Sequence, residues 1–290
     1  MYDLLNNVPE KEIKCLDKGF VRIVDCMPRL VESENITGDS AIVQMARTSY
    51  GNGTKTINED KGLIRYLLRH AHTSPFEAVE MKFHLRMPIF VCRQWVRHRT
   101  ANLNEISGRY SVLEDNFYEP ELTEIRKQST NNKQGGDNII DPECGGNFSD
   151  YAKYVSATAY EQYERFLSQG VCKEQARMIL PINLYTELYW KCDLHNILHF
   201  LALRCDSHSQ LEIRVFADAM LKLITPLVPY TIEAWNDYHP MRGAVKFTRL
   251  EMNALRKYFV DGNESLNIDT ANKREQQEWS DKLMKIGLTK

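Results

Sequence analysis

The 290-residue sequence predicts a globular protein that combines helices with a β-sheet. Residues 79–87 alternate between apolar and polar side chains, which is typical of a strand with one buried face. Residues 149–169 repeat apolar side chains at spacings of three and four, which is typical of a helix packed on one side. Apolar residues make up 43% of the chain and charged residues 26%, as in ordinary soluble globular proteins.

Charge and cysteine content exclude several classes of protein. The net charge is only −2, so any basic cluster is local, which argues against general coating of nucleic acid. No apolar run approaches the ~20 residues of a membrane span, and the N-terminus lacks the apolar core of a signal peptide. The seven cysteines are scattered and never spaced C-x-x-C. We therefore expect reduced thiols in the cytoplasm, with neither a disulfide framework nor a zinc site.

The first half of the chain is interpreted from alternation, helical periodicity and turn residues. Residues 1–19 are expected to be a weakly ordered lead-in. A helix should end before Pro75, because the residue preceding a proline disfavours the helical conformation. The predicted elements are a strand at 20–26, helices at 40–49 and 60–71, a turn at 51–53, a strand at 79–87, a helix continuing to 99, a strand at 110–118 and a surface loop at 128–147.

The second half is predicted to be mainly helical. Gly170 is expected to end the helix at 149–169 as a C-cap, and Asp193 to begin a later helix as an N-cap. Neither internal repeats nor a clear linker divide the chain into domains. The remaining predicted elements are a short helix at 173–180, a strand at 183–192, and helices at 193–204, from 207 or 209 to 223, at 249–259 and at 273–286.

The densest group of polar side chains suited to binding lies in residues 93–110, RQWVRHRTANLNEISGRY. This block carries four arginines and a histidine against one acid, Glu105. Guanidinium groups donate paired hydrogen bonds to phosphate oxygens. Ser107 and Gly108 add a hydroxyl and a close backbone approach, which suit a base or a sugar. The block predicts a site for a phosphate-bearing ligand, and the alternative is a basic surface helix followed by a loop.

A second group of candidates lies on the helix predicted at 193–204. His195 and His199 are four residues apart, a spacing that can bind a metal, but no third ligand is specified. Hydrogen-bonding or stacking histidines are therefore favoured. Arg204 follows an apolar run, so it needs an anionic or carbonyl partner or complements the helix dipole. Because the chain has no glycine-rich phosphate loop, arginines and histidines would have to hold any nucleotide cofactor.

The run RHRTANLNEISGR at 97–109 resembles the R-H-R-x-x-S-x-N-E-x-S-x-R signature of the flavin-dependent thymidylate synthases, the ThyX family. Residues 72–77, HTSPFE, look like the family's H-x-[ST]-P-F-E segment. Residues 176–181 and 193–208 look like two later blocks of the family. The resemblance spans roughly residues 20–258, and many matched positions make it far more specific than a single glycine motif.

The resemblance implies an α+β protomer, with a mostly antiparallel sheet flanked by helices, assembled as a homotetramer with active sites between subunits. It implies conversion of dUMP to dTMP, with methylenetetrahydrofolate as carbon donor, FAD as cofactor and NADPH as reductant. Residues 1–290 would form one synthase domain, with a core at about 20–258 and a peripheral helical extension at about 259–290. Asn102 replaces the serine of the signature, and Ala78 stands where many members have histidine.

The resemblance also implies roles for individual residues. Arg204 would be catalytic, polarising the pyrimidine so that its C5 can accept a one-carbon unit. No metal, nucleic acid or membrane is implied. The rival interpretations are a nucleic-acid-binding protein that uses residues 93–110 and a metal hydrolase that uses His195 and His199. By position, dUMP would be held by Gln94, Arg97, Glu105, Ser107, Gly108, Arg109, Arg177 and Arg204, and FAD by Ser74, Arg97, His98, Arg99, Glu105, Asp193, His195 and His199.

Overall fold

The structure is a computed structural model that describes residues 1–48, 57–130, 133–239, 243–263 and 265–288. The turn predicted at 51–53 lies outside the described residues. The chain divides into two units, Met1–Asn236 and Asp237–Lys290. In the described part of the chain, no helix is both long and apolar enough to cross a membrane.

The first unit is organised around an antiparallel sheet, which confirms the α+β prediction. In the described part of this unit, five strands hydrogen-bond in the order β2-β3-β5-β9-β6, and every neighbouring pair is antiparallel. Two further pairs, β1 with β4 and β7 with β8, stand apart from this sheet. The strands are β1 (Tyr2–Asp3), β2 (Glu12–Cys15), β3 (Gly19–Met27), β4 (Leu30–Val31), β5 (Glu80–Pro88), β6 (Asn102–Glu105), β7 (Arg126–Gln128), β8 (Gly136–Ile139) and β9 (Tyr185–Asp193).

Helices lie between the strands along the chain and follow the last of them. Short 3-10 helices at Leu4–Asn7, Ser74–Ala78, Leu122–Glu124 and Arg177–Ile179 connect the longer elements. The helices are α1 (Asp39–Thr48), α2 (Ile57–Arg69), α3 (Ile89–Trp95), α4 (Pro142–Ser168), α5 (Lys173–Ala176), α6 (Leu194–Arg204), α7 (Leu211–Ile224), α8 (Pro229–Tyr238), α9 (Arg249–Phe259) and α10 (Lys273–Lys285).

The core lies between the sheet and helices α3, α6 and α7. The predicted alternation of β5 is confirmed, since Met81, Phe83, Leu85 and Met87 are at most 1% exposed while the residues between them are partly exposed. Three large aromatic residues meet beneath the sheet. The ring of Trp95 lies 4.3 Å from that of Phe200 and 5.7 Å from that of Trp190. This aromatic contact fixes the end of α3 against the middle of α6.

The N-terminal lead-in is ordered, so the prediction of a weakly ordered segment at 1–19 is wrong. Leu4 and Leu5 are buried, and Asp3 accepts a hydrogen bond from the Leu5 amide at 3.0 Å. Strand β2 pairs with β3 as a hairpin and extends the sheet. The apolar pair Leu4-Leu5 is too short for a periodic signal, although its burial is what orders the segment.

Two further segments differ from the sequence prediction. The segment 110–118 forms only an isolated bridge, from Phe117 to Leu184, instead of a strand. The region 128–147 contains β8 and the first turns of α4 as well as loop. Helix α4 begins at Pro142 because Asp141 caps it, accepting from the Cys144 amide at 3.0 Å. The two glycines that follow mask this start in the sequence, because glycine disfavours a helix.

Helix α8 has no counterpart in the sequence prediction, which places no element between the helix ending at 223 and the helix beginning at 249. Pro229 is the first residue of α8, a position that proline tolerates well. The buried carboxylate of Asp39 accepts from the amides of Tyr230 at 2.9 Å and Thr231 at 3.1 Å. Burial raises the pKa of Asp39. Asp39 therefore caps α8 from a distant part of the sequence, which local reasoning could not detect.

The second unit contains α9 and α10, at nearly the predicted positions. Thr248 and Glu251 form a capping box at the start of α9. Both carboxylate oxygens of the buried Glu251 accept from Lys282 Nζ, at 2.8 and 2.9 Å. Trp279 and Leu283 of α10 pack with Ala254 of α9 in a small core. The unit therefore has apolar and ionic contacts of its own.

Candidate active site

The C-terminal end of α6 holds the guanidinium group of Arg204 at two points. Arg204 Nε donates to Nε2 of His98 at 3.0 Å, and Nη2 donates to the backbone oxygen of Gln94 at 3.2 Å. Burial lowers the pKa of Arg204, but an arginine stays cationic in proteins. A carbonyl partner, one of the alternatives that the sequence left open, is thus present, and the cation has a defined orientation.

The turn after α3 places His98 over α6. The prediction that this helix continues to Arg99 is wrong, because α3 ends at Trp95 and the His98 amide donates to the Trp95 oxygen at 3.1 Å. The His98 ring then meets the edge of Phe200, with centroids 4.8 Å apart, and lies 6.4 Å from the ring of His199. Packing of Trp95 and Phe200 in the core therefore decides where the helix stops.

His98 is neutral at physiological pH. Burial, together with the nearby Arg204 and His199, lowers the pKa of its imidazole to about 4. Each of these influences disfavours the protonated ring. A neutral imidazole has one nitrogen that can accept a hydrogen bond, and Arg204 uses it.

The N-terminal end of α6 is tied to the same turn. Asp193 caps the helix by accepting from the Asn196 amide at 3.0 Å and from the Asn196 side chain at 2.7 Å. Thr100 Oγ1 in turn donates to the Asn196 side-chain oxygen at 2.9 Å. The 3-10 helix Ser74–Ala78 packs against α6 and β9. Three segments that carry predicted FAD-binding residues are thus neighbours: the 74–78 helix, the turn at 97–100 and α6.

Exposed cations surround this region without matching acids. Arg93, Arg97 and Arg99 are exposed, and none of them forms an ion pair with an acid in the described residues. His195 is partly exposed and His199 is exposed, both on α6. An unpaired guanidinium on a structured turn is a suitable site for an anionic oxygen. Among all the residues that the structure describes, no group of three or more His, Cys, Asp or Glu side chains could hold a metal.

A second group of predicted residues follows β6. Arg109 Nε donates to Glu174 Oε2 of α5 at 3.0 Å, and Lys173 Nζ donates to the Tyr110 oxygen at 2.9 Å. Gly108 is buried, and a Cβ at this position would lie 3.1 Å from Arg177 Cδ. The glycine therefore lets the turn at 107–110 approach Arg177 closely. Arg177 directly follows α5 and begins the next 3-10 helix.

Glu105 is fixed by a residue that the sequence analysis did not single out. The hydroxyl of Thr186, buried on β9, donates to Glu105 Oε1 at 2.6 Å. Gln210 was likewise missed, although its side-chain oxygen accepts from Gln94 Nε2 at 2.5 Å. These pairs are 81 and 116 residues apart in sequence. One indication of these contacts was present in the sequence, namely the position of Thr186 in the strand predicted at 183–192.

The contacts of the predicted dUMP-binding residues fall into two groups. Gln94 and Arg204 meet at the ends of α3 and α6. Residues 107–109 and Arg177 meet beyond the end of β6. No hydrogen bond or ion pair between described residues joins the two groups.

Comparison with known proteins identifies the family. The model of the Thy1 family, described as thymidylate synthase complementing protein, matches residues 29–230, which is most of the chain. The chain belongs to the Thy1 family. This membership confirms the resemblance drawn from the signature at 97–109.

Individual Thy1 relatives agree over nearly the whole length. A flavin-dependent thymidylate synthase of Dictyostelium discoideum is 50% identical over 281 residues, covering 97% of this chain and 89% of that protein. One from Thermus thermophilus is 51% identical over 245 residues, covering 84% of each. The crystal structure of a UMP/dUMP methylase, PolB, from Streptomyces cacaoi bound with 5-Br dUMP matches with a TM-score of 0.69. It is 32% identical and covers 78% of this chain and 98% of that chain.

Proposed function

We propose that this chain is a flavin-dependent thymidylate synthase that methylates dUMP to dTMP, with methylenetetrahydrofolate as carbon donor and NADPH as reductant of FAD. The observation that carries the proposal is the fixed cation of Arg204, held by His98 of the family's signature run and by Gln94 four residues earlier. The names of the Thy1 relatives and the nucleotide bound to PolB support the same reaction. Neither rival, a nucleic-acid-binding protein or a metal hydrolase, has support from these comparisons.

Arginines supply the charge for the phosphate of dUMP. We assign Arg97, Arg109 and Arg177 to this phosphate, because a planar guanidinium donates paired hydrogen bonds to its oxygens. Glu105 is oriented by Thr186, and the turn at Ser107 and Gly108 offers a hydroxyl and backbone groups. Holding the nucleotide in one orientation removes much of the entropic barrier to reaction.

Arg204 activates the pyrimidine. The C5 atom of uracil becomes nucleophilic when negative charge develops on the ring carbonyl groups, and a fixed cation stabilises that charge. Arg204 Nη1 donates no hydrogen bond within the described part of the chain, so it is free to face the ring. Because His98 and Gln94 already hold the other side of the guanidinium, little reorganisation is needed when charge develops.

No cysteine is needed as a nucleophile in this reaction. Cys92 is buried, and burial raises the pKa of its thiol to about 12, so it is not a thiolate at neutral pH. Cys205 directly follows Arg204 and is partly buried. We assign activation of the ring to the cation of Arg204 instead of to covalent attack by either thiol.

The residues around α6 fit FAD. Exposed Arg97 and Arg99 provide unpaired charge for its pyrophosphate, and Ser74, His98, Glu105, His195 and His199 provide polar groups. Asp193 gives two lone pairs to Asn196 and keeps others for a ligand. The flavin would supply the hydride that completes the methyl group.

An absorbance spectrum and a titration with FAD test the cofactor assignment. We expect the purified protein to be yellow with flavin absorbance, and the stripped protein to bind FAD again. A protein with the metal-hydrolase or nucleic-acid-binding function would show neither property. Native protein that binds no FAD in the titration would contradict the assignment.

We further propose a homotetramer with active sites between subunits. The resemblance to the ThyX family supports this arrangement, in which a neighbouring copy would complete each site. Light scattering on active protein should give four times the protomer mass of 33.8 kDa. Full activity in a species of 33.8 kDa would be inconsistent with shared sites.

Replacing Glu174 with glutamine should lower the KM for dUMP. Glu174 pairs with Arg109 at 3.0 Å, and both side chains are more than half exposed. Such exposed pairs contribute about 0–1 kcal/mol, so removing the carboxylate should free Arg109 for phosphate and reduce KM up to about fivefold. Steady-state kinetics with varied dUMP measure this effect. Glu161→Gln, a neutral substitution of an exposed α4 residue, is the matched control, and a KM that rises in Glu174→Gln would refute the assignment.

A further inference from the structure

We infer that His98 is a positioning residue, whose neutral imidazole holds the guanidinium of Arg204 through Nε2 in the orientation that faces the substrate. The inference deepens the proposed function and rests on it for the identity of that substrate. His98 would then act on the reaction through Arg204, in addition to any contact with the flavin.

The direction of the hydrogen bond fixes the state of the ring. Arginine has only donors, so the nitrogen of His98 that lies 3.0 Å from Arg204 Nε must accept. Nε2 therefore carries no proton, and the proton of the neutral ring is on Nδ1. This tautomer follows because Arg204, as a donor only, needs an unprotonated nitrogen to accept its hydrogen bond.

The segment 94–98 accepts hydrogen bonds from two edges of the Arg204 guanidinium. His98 accepts from Nε, and the Gln94 oxygen, four residues earlier, accepts from Nη2. His98 is itself held, because its amide donates to the Trp95 oxygen and its ring packs at a steep angle on Phe200. Trp95 and Phe200 are fully buried, so core packing determines where His98 meets Arg204.

The groups of α6 that lower the pKa of His98, besides burial, are Arg204 and His199. In its own turn, His98 has Arg97 and Arg99 as its neighbours in sequence. No carboxylate in the described part of the chain pairs with His98. Protonation would remove the acceptor and place two cations at hydrogen-bond distance, so the positioning contact exists only with the neutral ring.

The pH dependence follows with a definite sign. The pKa of His98 is lowered to about 4 by burial, Arg204 and His199, from an ordinary value of 6.5. Between these values the unfolded chain binds a proton that the folded chain does not, so this group makes the fold less stable as pH falls. The contact with Arg204 is complete near neutral pH and is lost as pH falls through about 4.

A histidine titration tests the contact without any assay of activity. In FAD-loaded protein with ¹⁵N-labelled histidine, the His98 signals, assigned with His98→Gln, should show the Nδ1-protonated neutral ring down to about pH 4. Arg204→Met should raise the pKa of His98, because it removes a neighbouring positive charge. Arg214→Met on α7 is the control and should leave it unchanged. A His98 that titrates equally in wild-type protein and Arg204→Met would overturn the contact.

Two amide substitutions of His98 test its role in turnover. The glutamine oxygen reaches the place of Nε2, whereas the asparagine side chain is one methylene shorter and does not. With FAD content measured for both, we expect His98→Gln to keep kcat within about tenfold of wild type and His98→Asn to lose about 10²-fold. Equal losses would mean that His98 acts structurally and would overturn the inference. Wild-type protein that makes no dTMP would instead defeat the proposed function, and the titration would still judge the contact.

Discussion

Arg204→Ala should lower dUMP-dependent turnover by about 10²- to 10³-fold, because it removes one preorganised electrostatic contact to the developing charge. The guanidinium is held at 3.0 Å by His98 and at 3.2 Å by the Gln94 oxygen, so its position is defined before substrate binds. Arg204→Lys should lose most of the same activity, since a lysine ammonium cannot make both contacts and still face the ring. Flavin reoxidation and dTMP formation measure the effect.

The matched controls are Cys92 and Cys205, two thiols that lie close in sequence to Gln94 and Arg204. Cys92→Ala and Cys205→Ala should keep most of their turnover, because neither thiol forms a bond to the pyrimidine in this account. Cys92 is buried within the core, so its variant also needs a check of folding. A folded, FAD-loaded Cys205→Ala protein that forms no dTMP, beside a nearly normal Arg204→Ala, would overturn the role of Arg204.

Arg97→Ala should weaken FAD binding by about 10- to 10²-fold, because a hydrogen bond to a charged group is worth about 1.5–3 kcal/mol. Arg97 is exposed on the turn after α3 and has no acid partner among the described residues. His195→Ala should weaken binding in the same direction, since His195 lies at the start of α6. Titration of the stripped protein with FAD, followed by flavin fluorescence, gives the dissociation constants.

Arg93→Ala is the control for this charge effect. Arg93 lies on α3, four residues before Arg97, and it too is exposed and unpaired within the described residues. It is not among the residues that the family signature implies for FAD. Equal weakening by Arg93→Ala and Arg97→Ala would show that general positive charge, and not a specific contact, holds the cofactor.

Strands and helices with one exposed and one buried face were predictable from the sequence. The alternation of β5 places Phe83 and Leu85 in the core. This alternation can be recognised in the sequence without knowing which strand pairs with β5. Helix α6 was bounded correctly because Asp193 caps it locally. Helix α3 was extended too far, because its end at Trp95 is set by packing against Phe200 and nothing in RHRT signals it.

The family resemblance implies a set of site residues, but it does not say which contacts hold each of them. Gln94, Glu105 and Arg204 belong to one implied set of ligands, whereas in the fold Arg204 contacts Gln94 and His98, and Glu105 contacts Thr186. The supporting residues Thr186 and Gln210 act across 81 and 116 residues of sequence. Such contacts depend on strand pairing and helix packing, which periodicity does not specify.

Formation of dTMP by the purified FAD-loaded protein is the most direct test of the proposed reaction. The assay would follow dUMP and dTMP by chromatography with NADPH and methylenetetrahydrofolate present, and then with each component left out in turn. We expect dTMP in the complete mixture and none without dUMP, the folate or NADPH, because oxidised flavin has no hydride to give until NADPH reduces it. Protein that is folded and loaded with FAD but makes no dTMP in the complete mixture would contradict the proposed reaction.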